Sequence, residues 1–274
     1  MDSLLTALPT ALDRLRTVVG SIPSTRKVTR HWDVGDTLAH VASIAAMDVA
    51  LLAGRPLDPL VPGLDELVAG STVDQVKDVN VKVLAHLRER DPAVLLGRLT
   101  EDLDELLRMA RGADPRTVFP WLGGADLPLD GLLAHLLNEI NVHGWDIATA
   151  AGRPWHLPAA DAAAFFDVFF TGLVASGYGK LLDHDGPPHP GKVVVTFRGS
   201  AVRPFTLVLE RGRVHLTEVV ERPDVRLTYD PVTLDLMLFG RVSRVRAALT
   251  GKVRVGGRRP WLLPPFLRTV RLPS

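Results

Sequence analysis

The sequence predicts an all-helical region followed by a smaller α+β domain. Apolar residues recur at helical spacing through most of residues 1–182, whereas short runs with alternating apolar and polar residues dominate 183–274. The change falls at residues 183–188, a segment of Asp, His, Gly and Pro that is typical of a linker or loop. We therefore expect two domains, 1–182 and 183–274.

The first region contains enough long helical patterns for a four-helix bundle with one or two additional helices. Asp33 is a good N-cap, and Asp36 follows it at capping-box spacing. Asp91 and Pro92 supply an N-cap and a first helical residue in the same way. The predicted helices cover 2–19, about 33–54, 72–90, 92–111, 129–151 and 158–177.

Two stretches rich in Pro and Gly, 55–70 and 112–128, predict long loops between these helices. In the second region, turns at Gly199-Ser200 and at 211–213 separate the first strands. This pattern predicts a small, largely antiparallel sheet with two helices. The expected strands are 192–198, 204–210, 214–220, 225–229 and 252–255, and the expected helices follow Asp230-Pro231 and cover about 243–250.

Cysteine is absent from all 274 residues. Its absence excludes disulfides, Cys-ligated zinc and a protein thiol nucleophile, so any thiol chemistry must use a small-molecule thiol. The 46% hydrophobic and 23% charged composition is that of a globular protein. The apolar stretches 39–54 and 162–176 are interrupted by Asp48 and Asp167 and are shorter than a membrane span of about 20 residues. We therefore expect a cytoplasmic protein without a signal peptide, a membrane span or a nucleic-acid partner.

The net charge of +1 conceals an asymmetry. After Asp235 the chain has nine basic residues and no acidic residue, whereas the preceding part has 23 basic and 31 acidic residues. Such a basic block can face an anionic ligand, a membrane surface or an acidic neighbour, although a plain solvated face is the commoner case. For the mixed basic and apolar tail 258–268, packing against its own domain is the simplest expectation.

The densest group of metal-ligand side chains is His135, Glu139 and His143 in one predicted helix. Residues four apart share a helix face and lie about 6 Å apart, so Glu139 and His143 can grip one metal ion. A third ligand has to come from another helix, and His40, among apolar neighbours, points inward. The alternatives are a hydrogen-bonded core histidine at 40, a surface ion pair between 139 and 143, and His135 as a ligand in place of Glu139.

Two segments, Trp32 to His40 and Glu139 to Asp146-Ile-Ala, resemble the mycothiol-dependent maleylpyruvate isomerase family of the DinB-like superfamily. The resemblance implies a DinB-like metal-binding four-helix bundle. It also implies that His40, Glu139 and His143 bind Zn²⁺ or another divalent metal, and that His135 is a bystander or supports a ligand. The segments 224–231, 238–241 and 249–257 resemble a sterol-carrier-like domain.

The resemblance further implies mycothiol as the thiol cosubstrate and a small-molecule substrate, with an anion as one expectation. A metal-bound thiol loses its proton, and the thiolate can serve as nucleophile for cis–trans isomerisation or for thiol transfer. The family's C-terminal arginine is matched to Arg241, which is expected to be catalytic because arginine suits a planar anion. A surface role for Arg241 stays open, as do a lipid- or small-molecule-binding protein and a metal-dependent hydrolase as alternative functions.

Asp146 is three residues beyond His143 and has two interpretations. It either orients a ligand imidazole or is a solvated helix residue, and we expect the second. Trp32 and Trp145 are expected to pack in the core or against loops. The oligomeric state is left open.

Overall fold

The structure is a computed structural model, and it describes residues 1–20 and 22–271. A helical N-terminal region precedes an α+β region, as predicted. The helices are α1 Asp2–Val19, α2 Val34–Leu52, α3 Leu64–Gly70, α4 Val76–His86, α5 Pro92–Ala110, α6 Leu129–Ala150, α7 Ala159–Ser176, α8 Pro231–Leu238, α9 Arg244–Leu249 and α10 Leu263–Thr269. The strands are β1 Val118–Trp121, β2 Ala125–Pro128, β3 Val193–Gly199, β4 Phe205–Glu210, β5 Arg213–Thr217, β6 Val225–Tyr229 and β7 Val253–Gly256.

The four long helices α1, α2, α5 and α6 enclose the core of the first region. Both α1 and α2 pack against α5 and against α6. Their inner faces are aliphatic and fully buried, as at Leu15, Leu38, Leu103 and Leu136. This burial supplies most of the stability of such helices, because isolated helices of this length are marginal in water.

The predicted helix starts are confirmed where capping residues signal them. The Asp33 carboxylate accepts from the amide N–H of Asp36, and the Asp36 carboxylate accepts from the amide N–H of Asp33. Asp91 caps α5 through the amides of Ala93 and Val94. These caps fix where α2 and α5 begin and therefore the helical position of every residue on the two helices.

The two predicted loops contain structure that the sequence pattern did not reveal. Residues 112–128 include the hairpin of β1 and β2, in which Trp121 pairs with Ala125 across the strands. Four-residue strands are too short for a clear alternating pattern, and the burial of Trp121 is a tertiary effect. Residues 55–70 include α3, and the predicted helix 72–90 ends at His86.

Helix α7 contains a π-turn at Phe165–Phe170 and packs against α6. The wider turn accommodates four buried phenylalanines in six residues. Phe165 and Phe169 stack with their ring centroids 5.1 Å apart. π-turns inside helices are frequent at functional sites, and this one brings Phe169 toward α6.

The α+β region holds a five-stranded sheet in the order β5-β4-β3-β6-β7. Its pairs are antiparallel apart from β3 with β6, which are parallel, so the prediction of a largely antiparallel sheet is confirmed. Arg211 and Gly212 have φ angles of 51° and 75° in the tight turn between β4 and β5. Left-handed conformations at both positions match the twist of a two-residue hairpin.

One continuous apolar cluster extends through both regions. Phe166 of α7 lies 5.3 Å from Tyr229 of β6 between ring centroids, and α7 also packs against α8. The chain between α7 and β3 contains the predicted linker, but the proposed boundary between residues 182 and 183 stays a prediction.

By length and composition alone, helices Val34–Leu52 and Ala159–Ser176 could cross a membrane. In the structure, 78% and 50% of the most apolar 18-residue stretch of these two helices, respectively, are buried inside the protein. Core helices meet the same criteria of length and hydropathy, and this burial is what a core helix shows.

Candidate metal centre

Helices α2 and α6 bring His40, Glu139 and His143 together in the interior. The Nε2 atoms of His40 and His143 lie 3.3 and 3.2 Å from the same Glu139 oxygen, Oε2. Glu139 and His143 share a face of α6 because they are four residues apart. The two imidazole rings meet edge to face, with their centroids 5.0 Å apart.

The arrangement fits a divalent metal. One ligand atom from each of the three residues lies within 4.8 Å of the others. Ligand atoms bonded at about 2.1 Å to a tetrahedral zinc ion are about 3.4 Å apart, close to the nitrogen-to-oxygen distances found here. Two histidines and one glutamate form a donor set that catalytic zinc sites use, with the fourth position open.

Electrostatics within the cluster favour the ionised forms of Glu139 and His143 and the neutral form of His40. Burial raises the pKa of Glu139, but hydrogen bonding with His143 and His40 outweighs it and holds that pKa well below its usual value. Burial lowers the pKa of His143, yet Asp146 and Glu139 raise it to about 9. Burial lowers the pKa of His40. The carboxylate is therefore ready to bind a cation, whereas His143 must release a proton before it can bind a metal.

His135 contacts the other oxygen of the Glu139 carboxylate. Its Nε2 lies 3.4 Å from Oε1, on the side away from His40 and His143. The ring packs edge to face on Trp121 at 5.1 Å and against Phe169 at the same distance. This position separates His135 from the three convergent ligand atoms and makes it a support for the carboxylate.

Asp146 is buried, so the expectation of a solvated residue was wrong. Its Oδ2 lies 3.3 Å from Nδ1 of His143 and accepts a 2.6 Å hydrogen bond from Nη2 of Arg241. Arg241 Nε donates to the other Asp146 oxygen at 3.0 Å, and its Nη1 donates to the carbonyl of Phe239. The α+β region thus contacts the cluster through a bidentate arginine–carboxylate pair.

Trp32 covers the two imidazoles from the loop before α2. Its ring centroid is 4.8 Å from that of His40 and 5.8 Å from that of His143. The loop is closed by amides of Val28 and Thr29, which donate to the Trp32 carbonyl. Trp32 is therefore a packing residue, as expected, and the side chains it packs against are two of the candidate metal ligands.

Two more buried acids lie near this cluster. Burial raises the pKa of Asp48 and of Asp235 well above the usual value, and the charge of Glu139 raises both further. Asn138, with its amide nitrogen turned toward Asp235, donates to both carboxylate oxygens at 3.2 and 3.1 Å. Oδ2 of Asp48 has no hydrogen-bond partner among the described residues. Asp48 comes two turns after His40, a spacing that could have revealed it, whereas Asp235 comes from the other region and had no such signal.

A separate cavity of about 180 Å³ lies on another side of α2. Small and aliphatic residues line it, and Glu89, Arg98 and Asp102 also contribute to its wall. None of the residues in the cluster around Glu139 lines this cavity. The candidate ligand side chains therefore converge away from this cavity.

Comparisons with known proteins bear on the helical region. The profile of the family described as "Mycothiol maleylpyruvate isomerase N-terminal domain" matches residues 5–148. No curated protein sequence matches the chain. Among solved structures, the chain is similar to "Sterol Carrier Protein 2 from Yarrowia Lipolytica (apo form)", with 20% identity and a TM-score of 0.20 over 24% of this chain and 60% of that one. The match spans less than two thirds of that protein and carries no argument about fold, so the sterol-carrier-like domain stays a prediction.

Proposed function

The chain belongs to the mycothiol maleylpyruvate isomerase family, and from this premise we propose that it is a zinc- and mycothiol-dependent enzyme. Its reaction would be cis–trans isomerisation of a small unsaturated acid or transfer of the thiol to an electrophile. The observation that supports this proposal most directly is the convergence of His40, Glu139 and His143 around one position in the family's domain.

The side chains of the cluster have distinct tasks in this proposal. A bound Zn²⁺ would supply a Lewis-acidic position at which a thiol is deprotonated near neutral pH. Glu139 and the two imidazoles would hold the ion, and His135 would fix the unused carboxylate oxygen. Asp146 would orient the His143 ring from its Nδ1 side, as carboxylates commonly do for metal-bound histidines.

The thiol has to come from outside the protein, because the chain contains no cysteine. Addition of the thiolate sulfur to one carbon of an activated double bond breaks the π bond, moves its electron pair onto the conjugated carbonyl as an enolate, and leaves a single bond that can rotate. Elimination of the same sulfur then restores the double bond in the trans form, so the thiol is regenerated. Displacement of a leaving group by the sulfur would give thiol transfer instead.

Arg241 fits a positioning role in this scheme better than direct contact with substrate. Its three guanidinium nitrogens already donate to Asp146 and Phe239. It therefore acts on the site through Asp146 and the His143 ring. The difference matters for kinetics, since loss of a substrate contact raises KM, whereas loss of metal orientation lowers metal affinity and kcat.

The test is an assay of maleylpyruvate isomerisation with zinc-loaded protein and mycothiol. We expect turnover that requires both components, stoichiometric zinc, and loss of zinc and turnover in His143→Ala. The matched control is His156→Ala, at an exposed histidine outside the cluster. Full activity in a chelated assay without thiol would contradict the proposal.

Thiol transfer is tested on the same preparation by a screen with electrophilic small molecules. Mass spectrometry would detect a mycothiol adduct that forms with the zinc protein and not with His143→Ala. Adducts without isomerisation would identify the transferase branch. The same rate of adduct formation in both proteins would exclude it.

We also propose a small-molecule substrate, a cytoplasmic location and a domain boundary between residues 182 and 183. The change from helices to strands between α7 and β3 supports the boundary. The burial of the two most apolar helices in the core supports a protein that is not inserted in a membrane.

A further inference from the structure

Exposed apolar side chains are concentrated in one short part of the α+β region. Val245, Leu249, Val255 and Trp261 are 69%, 83%, 46% and 66% exposed. The four lie within 17 consecutive residues and make up half of the large exposed apolar side chains in the described part of the chain. Single exposed apolar residues are ordinary, but a group of them indicates a contact surface.

The elements that carry these residues are neighbours in the fold. Val245 and Leu249 are four apart on α9, while the intervening Ala247 is buried against the protein. Helix α9 contacts β7, which lies at the edge of the sheet and carries Val255. Trp261 lies in the turn Pro260–Leu262 after β7, and that turn contacts β6.

Arginines without acidic partners are interleaved with these apolar residues. Arg244, Arg246 and Arg254 are exposed, and no described carboxylate lies within ion-pair distance of them. The other cations between Val245 and Trp261 are partly neutralised by carboxylates. In Arg259, for example, Nη2 lies 2.6 Å from Oδ1 of Asp224. We define the basic-apolar face as the edge of the α+β region formed by α9, the edge strand β7 and the turn after it, where Arg254 and Val255 extend on opposite sides of the strand. Its residues are Val245, Leu249, Val255 and Trp261 together with Arg244, Arg246 and Arg254.

We propose that the basic-apolar face binds the surface of a membrane rich in anionic lipids. Arginines attract lipid phosphates, while aliphatic side chains and an exposed tryptophan enter the boundary between headgroups and acyl chains. The nine cations and no acids after Asp235, against an excess of eight acidic charges in the preceding chain, would orient the molecule with this face toward the membrane. The inference does not depend on the proposed function.

Charge complementarity disfavours the other occupants. A symmetric second copy would place this cationic face against itself, which brings like charges together. Nucleic acid would use the arginines and the tryptophan but would leave aliphatic Val245 and Leu249 without a partner. An anionic membrane surface satisfies both the charged and the apolar side chains.

The experiment measures binding of the full chain to vesicles. One set contains equal parts of phosphatidylglycerol and phosphatidylcholine, and the other contains phosphatidylcholine alone. We expect binding to the first set that weakens between about 0.1 M and about 1 M salt, as the screening length falls from about 10 to about 3 Å. Equal binding to both sets, or no binding, would overturn the proposal.

A charge variant with a matched control separates this face from net charge. Arg244→Gln, Arg246→Gln and Arg254→Gln together should weaken vesicle binding about 100-fold, at about fivefold for each cation. Arg30→Gln, Lys77→Gln and Arg88→Gln remove the same charge from exposed positions in the helical region and should have little effect. Equal losses in both triple variants would overturn the proposal, and circular dichroism checks that both fold.

Trp261 reports the contact directly. Trp261 is exposed, whereas the other four tryptophans are buried or half-buried. Vesicles should shift its fluorescence to shorter wavelength, and Trp261→Phe should lose this shift while it still binds. Leu249→Ser with Trp261→Ser should bind more weakly than Val81→Ser with Val94→Ser, two exposed apolar positions on other helices. A dimer in sedimentation equilibrium that only the first pair abolishes would assign the face to a second copy and overturn the proposal.

Discussion

The helical region contains a cluster of buried charged side chains, whereas most charged side chains after Asp235 are exposed. In the helical region, His40, Glu139, His143 and Asp146 are drawn into the interior, and each contacts another member of the group. After Asp235, most cations stay on the surface, and four of them, Arg244, Arg246, Arg254 and Arg268, have no acidic partner among the described residues. Arg241 departs from this pattern, since it reaches inward and binds Asp146.

The difference shows where individual side chains matter. A buried charge must have a partner, because leaving it unpaired away from water costs several kcal/mol. An exposed cation is solvated and contributes little to stability by itself, so exposed cations act on a partner as a group. Single substitutions should therefore have large effects in the cluster and small effects on the basic-apolar face.

The largest effect is expected for Arg241→Ala. It leaves Asp146 buried beside His143 without its bidentate partner, and we expect a loss of about 3 kcal/mol in the free energy of unfolding, measured by urea denaturation. Arg244→Ala, three residues away and exposed, is the matched control, with an expected change below about 0.5 kcal/mol. Equal effects of the two variants would remove the distinction between buried and exposed charges.

The second-largest effect is expected for Glu139→Gln. The amide keeps the shape of the side chain but lacks the negative charge, so we expect zinc affinity to fall by about 100-fold or more, measured by competition with a chromophoric chelator. Glu101→Gln, at an exposed glutamate of α5, should bind zinc as the unaltered protein does. Unchanged affinity in Glu139→Gln would exclude this carboxylate as a ligand.

Asp48→Asn should stabilise the protein by about 1 to 3 kcal/mol at neutral pH. Burial raises the pKa of Asp48, so its protonated form favours folding below the ordinary value of 3.8, and this contribution is lost as pH rises toward the folded-state pKa. The gain from Asp48→Asn should thus be larger near pH 8 than near pH 5 in urea denaturation. Asp104→Asn, at an exposed position of α5, should show no such pH dependence.

The smallest effect is expected for Arg246→Gln. We expect less than about 0.5 kcal/mol in the free energy of unfolding, because an exposed arginine without an acidic partner gives up no ion pair. A loss of more than about 1 kcal/mol in thermal or urea denaturation would show that this arginine has a structural partner.

The sequence predicted those features that local physical chemistry specifies. Capping residues revealed the starts of α2 and α5, and four-residue spacing placed Glu139 and His143 on one face. The proximity of His40 followed from its apolar surroundings together with the resemblance to the family. Features set by tertiary contacts were missed, because no local pattern encodes them: the hairpin around Trp121, the burial of Asp146 and the approach of Asp235.

The Asp146–Arg241 pair has a consequence for how far the functional unit extends along the chain. The family match ends at residue 148, yet the guanidinium that holds Asp146 beside His143 belongs to residue 241. A fragment that contains the matched domain alone would keep all three candidate ligands and Asp146, and it would lose the guanidinium group that is paired with Asp146. The family match therefore covers a shorter part of the chain than the residues connected to the candidate site, which include Arg241 of the α+β region.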